Sequence, residues 1–148
     1  MGESGFDFFQ GHSLRYLEMA FRTDRRERIE NPDAYGKRTG ECGDTVEFFL
    51  TLRNDLISNV SYEIDGCMNT NACANAAAEM IEGKALENAW DVTPEKLIVF
   101  LETLPPQSYH CAELAVGALY LALSDAVRKK RSREPSALAV EGRMLPSI

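Results

Sequence analysis

Three cysteines stand at turns beside regular elements: Cys42 in Glu41-Cys42-Gly43-Asp44, Cys67 in Asp65-Gly66-Cys67, and Cys111 in His110-Cys111. As thiolates, such residues ligate soft metals or attack sulfur. Cys67 and Cys111 fall where the pattern predicts helix N-termini, and the unpaired N–H groups and positive dipole end there favour the thiolate. Asp44 adds a carboxylate oxygen, as ligand or base, and His110 adds a ring nitrogen. Gly43 allows the backbone to approach closely, and Gly66 flanks Cys67. Three thiols, a carboxylate and an imidazole on separate turns read as one metal or sulfur site centred on Cys67. The opposing reading is that each thiol packs as a small hydrophobe, which suits any one of them alone but leaves the flanking Gly, Asp and His without a reason. Cys73, inside an Ala-rich run, reads as a packed core residue. His12 reads as a helix-surface or capping residue.

The elements that must hold this site can be read from periodicity. His12 to about Arg28 has a helical pattern with Leu14, Leu17 and Phe21 on one face, ended by Glu30-Asn31-Pro32. The charged run Asp24 to Arg28 reads as a solvated helix face, with Asp33 to Gly43 as a loop. Thr45 to Arg53 alternates through Val46, Phe48, Leu50 and Leu52, Asn54-Asp55 turns the chain, and Ile57 to Ile64 returns as the second strand of a hairpin. Asn69, Thr70 or Asn71 is the expected N-cap of a helix over 72–82, closed by Gly83. Leu86 to Trp90 makes a short turn, and Thr93-Pro94 opens a helix to Leu104. After Pro105-Pro106, residues 109–130 form an apolar core helix ended by Arg128-Lys129-Lys130-Arg131, cations suited to a helix C-terminus.

The chain has 148 residues, 45% of them hydrophobic and 26% charged, enough for one domain with a real core. A net charge of −7 argues against general nucleic-acid binding. No run approaches the roughly 20 apolar residues that span a bilayer, so no membrane partner is expected. Met1 to Gln10 lacks a basic segment followed by an apolar core, so a cytoplasmic, reducing location is expected, where four cysteines favour thiols over two disulfides. The expected layout is a flexible N-terminus over 1–11, one domain over 12–131 and a flexible tail over 132–148.

The ordered motifs resemble the NifU/IscU family of iron–sulfur cluster assembly scaffolds. Glu30-Asn31-Pro32 with Gly36 resembles its E-N-P segment, and Cys42-Gly43-Asp44 and Gly66-Cys67 its first two ligand motifs. Gly83-Lys84-Ala85-Leu86-Glu87-Asn88-Ala89 resembles its G-K-x-L-x-x-A link, and Leu104-Pro105-Pro106 with His110-Cys111 its third ligand motif. The resemblance implies an α+β fold, a small antiparallel β-sheet covered on one face by helices, with a long C-terminal core helix. It implies a scaffold, not an enzyme, whose Cys42, Cys67 and Cys111 accept sulfur from a cysteine desulfurase, bind iron, hold a transient [2Fe–2S] cluster and pass it to apo-proteins. Asp44 and His110 are then the non-thiolate ligand candidates, and Cys111 and Cys67 the candidate persulfide acceptors. A weaker oxygen or nitrogen ligand beside three thiolates should ease release of the cluster.

The chain departs from the family in three places. Only five residues separate Gly36 from Cys42, where the family has a longer stretch with an extra strand. Gln107-Ser108 stands where the family's chaperone-recognition segment has Val-Lys, so the resemblance does not carry recognition by an Hsp70-type chaperone. Asn69, Asn71 and Cys73 replace a run of small residues. Two rival functions use the same residues. One is a zinc-dependent sulfurtransferase of the same fold, with Cys42, Asp44, Cys67 and Cys111 on zinc; the other is a protein-interaction module with a structural zinc.

Overall fold

The computed structural model describes residues 11–132. Residues 1–10 and 133–148, nearly all of the two expected flexible segments, lie outside them. Helix α1 (Leu14–Phe21) is followed by strands β1 (Ala34–Thr39), β2 (Thr45–Arg53) and β3 (Leu56–Asp65), which form one antiparallel sheet in the order β1-β2-β3. Helices α2 (Met68–Ile81), α3 (Leu86–Ala89), α4 (Pro94–Leu101), a 3-10 turn (Pro106–Ser108) and the long α5 (Tyr109–Ser132) complete the chain. The architecture is α+β, as expected.

The hairpin forms where alternation and turn chemistry agree. Val46, Phe48 and Leu50 of β2 and Val60, Tyr62 and Ile64 of β3 turn their side chains into one core beneath the helices. Asn54 and Asp55 both take positive φ, 53° and 69°, the conformation a two-residue hairpin turn needs and Asn and Asp tolerate. The expected loop over 33–43 is instead largely strand β1. Its inward positions are only Ala34 and Gly36, so it carries no apolar alternation to read. A Cβ on Gly36 would lie 2.2 Å from the Ala122 backbone nitrogen and 2.5 Å from the Ala118 carbonyl oxygen, so α5 lies directly on the strand. Asp125 of α5 accepts the outward Tyr35 N–H at 2.9 Å, satisfying that edge.

Helix α1 is shorter than its pattern, and it buries a different face. Tyr16, Met19 and Ala20 are buried, whereas Leu14 is 82% and Phe21 54% exposed. The charged run after it is not a helix face. Tyr62 N–H donates to the Arg25 carbonyl and Glu27 N–H to the Tyr62 carbonyl, both at 3.0 Å, so the run lies parallel along β3. Its arginines are paired there: Arg25 with Glu79 and Glu82, Arg26 with Glu63, and Arg28 with Glu47. The other end of β3 is covered by the Gly83-Lys84-Ala85 link, with Ile57 N–H donating to the Lys84 carbonyl at 2.8 Å.

Thr93 caps α4, accepting from Lys96 N–H at 3.2 Å, but the helix ends at Leu101 rather than Leu104, where Glu102 turns to φ 65°. One expectation about length is corrected. Pro106–Ser132 is 27 residues long, with a mean hydropathy of 1.2 over its most apolar window, enough by length and composition to cross a bilayer. Charged and small residues interrupt the apolar run, which hid it from a count of consecutive apolar residues. In the fold 61% of that window is buried, with Leu114, Ala115, Ala118, Leu119, Ala122 and Leu123 in the core. Leu121 and Tyr109 of this helix are exposed.

Candidate metal and sulfur site

The expected site residues come from the β1–β2 loop, the β3–α2 turn and the start of α5, at one rim of the sheet. Helix α2 begins earlier than its Ala-rich run implies. Cys67 itself is the N-cap residue, with φ −96° and ψ −174°, and its carbonyl accepts from Asn71 N–H at 3.1 Å. Asn69, Thr70 and Asn71 are therefore inside the first turn, where three polar side chains would ordinarily be poor helix formers. Each has a tertiary partner that offsets this.

Thr70 lies at the centre. Its hydroxyl donates to Asp44 Oδ2 at 3.0 Å and stands 3.8 Å from both Cys67 Sγ and Cys111 Sγ. Residues 26, 3 and 41 positions away along the chain thus share one oxygen atom as neighbour. His110 Nε2 is 3.7 Å from Cys111 Sγ. Cys42 is exposed in the loop and lines, with Arg38, Gly40, His110 and Leu114, a cleft of about 350 Å³ beside this centre. Gly43 is required for its φ of +91°, not for close approach, since nothing lies within 4 Å of a Cβ there. Gly66 is the close contact: a Cβ would sit 2.6 Å from the Thr70 hydroxyl and 3.0 Å from Asp44 Oδ2.

The two helix-start thiols differ, contrary to the shared thiolate character expected of them. Partial burial pushes the Cys67 thiol up, but hydrogen bonds from the backbone N–H groups of Thr70 and Asn69 outweigh it, and its pKa is lowered. Cys111 is 1% exposed. Burial pushes its thiol up to about 11, and the charges of Cys67, Asp44 and Cys42 add to the rise. The reason is position: Cys111 is the third residue of α5, which continues from the 3-10 turn, whereas Cys67 caps an open end. Cys73 is fully buried with its pKa raised well above the ordinary thiol value, chiefly by desolvation.

Residues 26–133 match the family model described as NifU-like N terminal domain. The chain belongs to this family. The relatives it is similar to include iron–sulfur cluster assembly scaffold protein IscU 1 of Archaeoglobus fulgidus, 32% identical over 103 residues, 69% of this chain and 67% of that one. The corresponding IscU scaffold protein of Aquifex aeolicus is 32% identical over 91 residues, 60% of this chain and 58% of the relative. A nitrogen-fixing NifU-like protein (N-terminal) from Brucella abortus shares the fold at a TM-score of 0.64 and 17% identity, over 79% of this chain and 94% of that one. A structure from Fervidobacterium islandicum AW-1 does so at 0.65 and 22%, over 77% and 97%.

Within this NifU-like domain, the donor set suits a soft or borderline metal: thiols, with a carboxylate and an imidazole to hand. Its spacing is wider than a closed metal cage, and among the described residues no three His, Cys, Asp or Glu side chains already stand at metal-holding distances. Loading would require the donors to close around the ion.

Sequence reasoning passed over the residues that position this set. By sequence Thr70 is an N-cap candidate, because Thr before an Ala-rich run signals a helix start. Asn69 Nδ2 donates to Ser108 Oγ at 2.9 Å and its Oδ1 accepts from the Tyr16 hydroxyl, tying α1, α2 and the turn before Cys111 together. Asn71 Oδ1 accepts from the Tyr62 hydroxyl at 2.7 Å, and its amide donates to the carbonyls of Ala20 at 2.9 Å and Arg22 at 3.1 Å. Asn75 donates to Met19 and Arg22 carbonyls at 2.9 and 2.7 Å. Two amides at i and i+4 on α2 thus satisfy carbonyls at the C-terminal end of α1. The i, i+4 spacing of two asparagines on an otherwise small-residue helix was the available signal.

Proposed function

We propose that this domain is a platform on which iron and sulfur are assembled into a [2Fe–2S] cluster that is then passed to apo-proteins, in the cytoplasm. The observation that carries the reading is the convergence of Asp44, Cys67 and Cys111 on one hydroxyl, with Cys42 and His110 at the same rim. The similar proteins from Archaeoglobus fulgidus and Aquifex aeolicus are named iron–sulfur cluster assembly scaffold proteins, which supports this reading. The cluster and its iron are cargo. No turnover reaction is catalysed, so the residues need only accept sulfur, bind and orient the metal, and release the finished cluster.

Cys42, Cys67 and Cys111 serve as thiolate donors to iron, and Asp44 or His110 fills the remaining, weaker position. Cys67 is the readier sulfur acceptor, being exposed and lowered in pKa where Cys111 is buried and raised. Its thiolate attacks the terminal sulfur of a cysteine desulfurase persulfide. The new S–S bond forms at Cys67, the donor's S–S bond breaks, and the donor leaves as a thiolate; an external two-electron reductant must then bring each transferred sulfur to the sulfide level that the cluster holds. Burial of Cys111 delays its ionisation until the cation is present to stabilise the anion.

Anaerobic reconstitution with iron and sulfide tests this. A [2Fe–2S] absorption spectrum that is lost in Cys42→Ala, Cys67→Ala and Cys111→Ala is the expected result. Sulfur acceptance with retained zinc and no cluster would instead mark a zinc-dependent sulfurtransferase built on Cys42, Asp44, Cys67 and Cys111. Neither activity would leave an interaction module with structural zinc.

A further inference from the structure

The geometry points to Thr70 as a latch that holds Asp44 and keeps the thiols apart until metal enters, an inference that rests on the metal-binding reading above. Thr70 is fully buried, yet its hydroxyl is spent on a carboxylate rather than on the helix backbone. It therefore occupies a lone pair of the oxygen atom best placed to join the thiols on a cation. Because Asp44, Cys67 and Cys111 all neighbour the same Oγ1, a cation drawing them together must displace that hydroxyl from among them.

Two further features suit this role. Glycine at position 66 leaves the Thr70 side chain its room, since a Cβ there would overlap both the hydroxyl oxygen and, at 2.9 Å, the Thr70 Cβ. A helical threonine also has a second χ1 well in which its hydroxyl bonds a carbonyl three or four residues earlier. For Thr70 these are the carbonyls of Cys67 and Gly66. Swinging into that well releases Asp44 without leaving the hydroxyl unpaired, but it gives up a bond to a charged carboxylate for a weaker one to a neutral carbonyl, and that difference is what the latch costs.

The test is the affinity of the purified full chain for Zn²⁺, measured by competition with a chromophoric chelator. Thr70→Val, which keeps the shape and removes the hydroxyl, should bind Zn²⁺ about tenfold more tightly, the scale of one hydrogen bond to a charged acceptor. Thr70→Ser should stay within about twofold of the wild type, since it restores the donor. In an Asp44→Ala background the gain from Thr70→Val should vanish. Thr70→Ala serves as the second variant if valine does not fold, as judged by thermal unfolding, and should show the same direction of change. Unchanged or weaker binding by the variants that lack the hydroxyl, with the wild type still binding Zn²⁺, would overturn the latch alone. A gain that persists without Asp44 would also overturn it, by showing a packing effect. Failure of the wild type and all variants to bind Zn²⁺ would overturn the metal-binding reading itself.

Discussion

At the scale of single residues, exposure and hydrogen bonding divide four chemically identical thiols. Cys67 and Cys42 are exposed, whereas Cys111 and Cys73 are buried. Brief iodoacetamide treatment of metal-free protein at neutral pH should therefore modify Cys67 at least about tenfold faster than Cys111, because alkylation requires an accessible thiolate. Mass spectrometry of the peptides reads the order, and equal rates would contradict the division of the two sulfurs. The identities of the candidate donors were legible in the sequence because Cys42-Gly43-Asp44, Gly66-Cys67 and His110-Cys111 each combine a donor with a turn or a second donor. Thr70 was not, because its partners are 26 and 41 positions away and nothing local marks them. Asp44→Ala should lengthen the life of a reconstituted cluster, since the weak ligand or base that assists release is gone. Decay of the visible absorbance measures it, and a shorter life would refute that role.

At the scale of elements, the residues that fix packing are small or polar. Gly36→Ala places a methyl inside the α5 backbone and should cost about 3 kcal/mol, a large overpacking penalty because backbone cannot yield as a side chain can. Asn71→Ala removes the amide that satisfies the α1 carbonyls and strands the Tyr62 hydroxyl, for an expected loss of about 2–3 kcal/mol. Urea unfolding midpoints check both, and losses under ~0.5 kcal/mol would show that these contacts carry little. The hairpin was legible because alternation, burial and the Asn54-Asp55 turn all agree. Strand β1 was not, since Ala34 and Gly36 bury too little to register as a pattern. The charged run after α1 followed helical spacing, but its backbone pairs with Tyr62 and its arginines find carboxylates on α2, β2 and β3.

At the scale of the molecule, a small sheet, α5 across it and short segments along β3 hold the cysteine turns at one rim. Its stability should fall at both ends of the pH scale for identifiable reasons. Burial raises the Tyr62 phenol to about 12 from an ordinary value near 10. Its contribution is complete below about pH 10 and is lost as pH rises through about 12. Burial would raise the Asp125 carboxyl, but the Tyr35 amide and the Lys129 and Arg128 cations hold it below the ordinary carboxylate range. That contribution is present above about pH 4 and is lost as pH falls through the lowered folded value. Unfolding midpoints across pH should lose part of their alkaline slope in Tyr62→Phe and part of their acid slope in Asp125→Asn; slopes unchanged by either substitution would count against the assignment.

The convergence of remote sulfurs on one rim is most directly tested by X-ray absorption at the zinc edge of zinc-loaded protein. Sulfur scatterers from Cys42, Cys67 and Cys111 should appear together at about 2.3 Å, with one fewer in each single cysteine-to-alanine variant. A shell of oxygen and nitrogen alone, or a sulfur count that no such substitution lowers, would contradict the account.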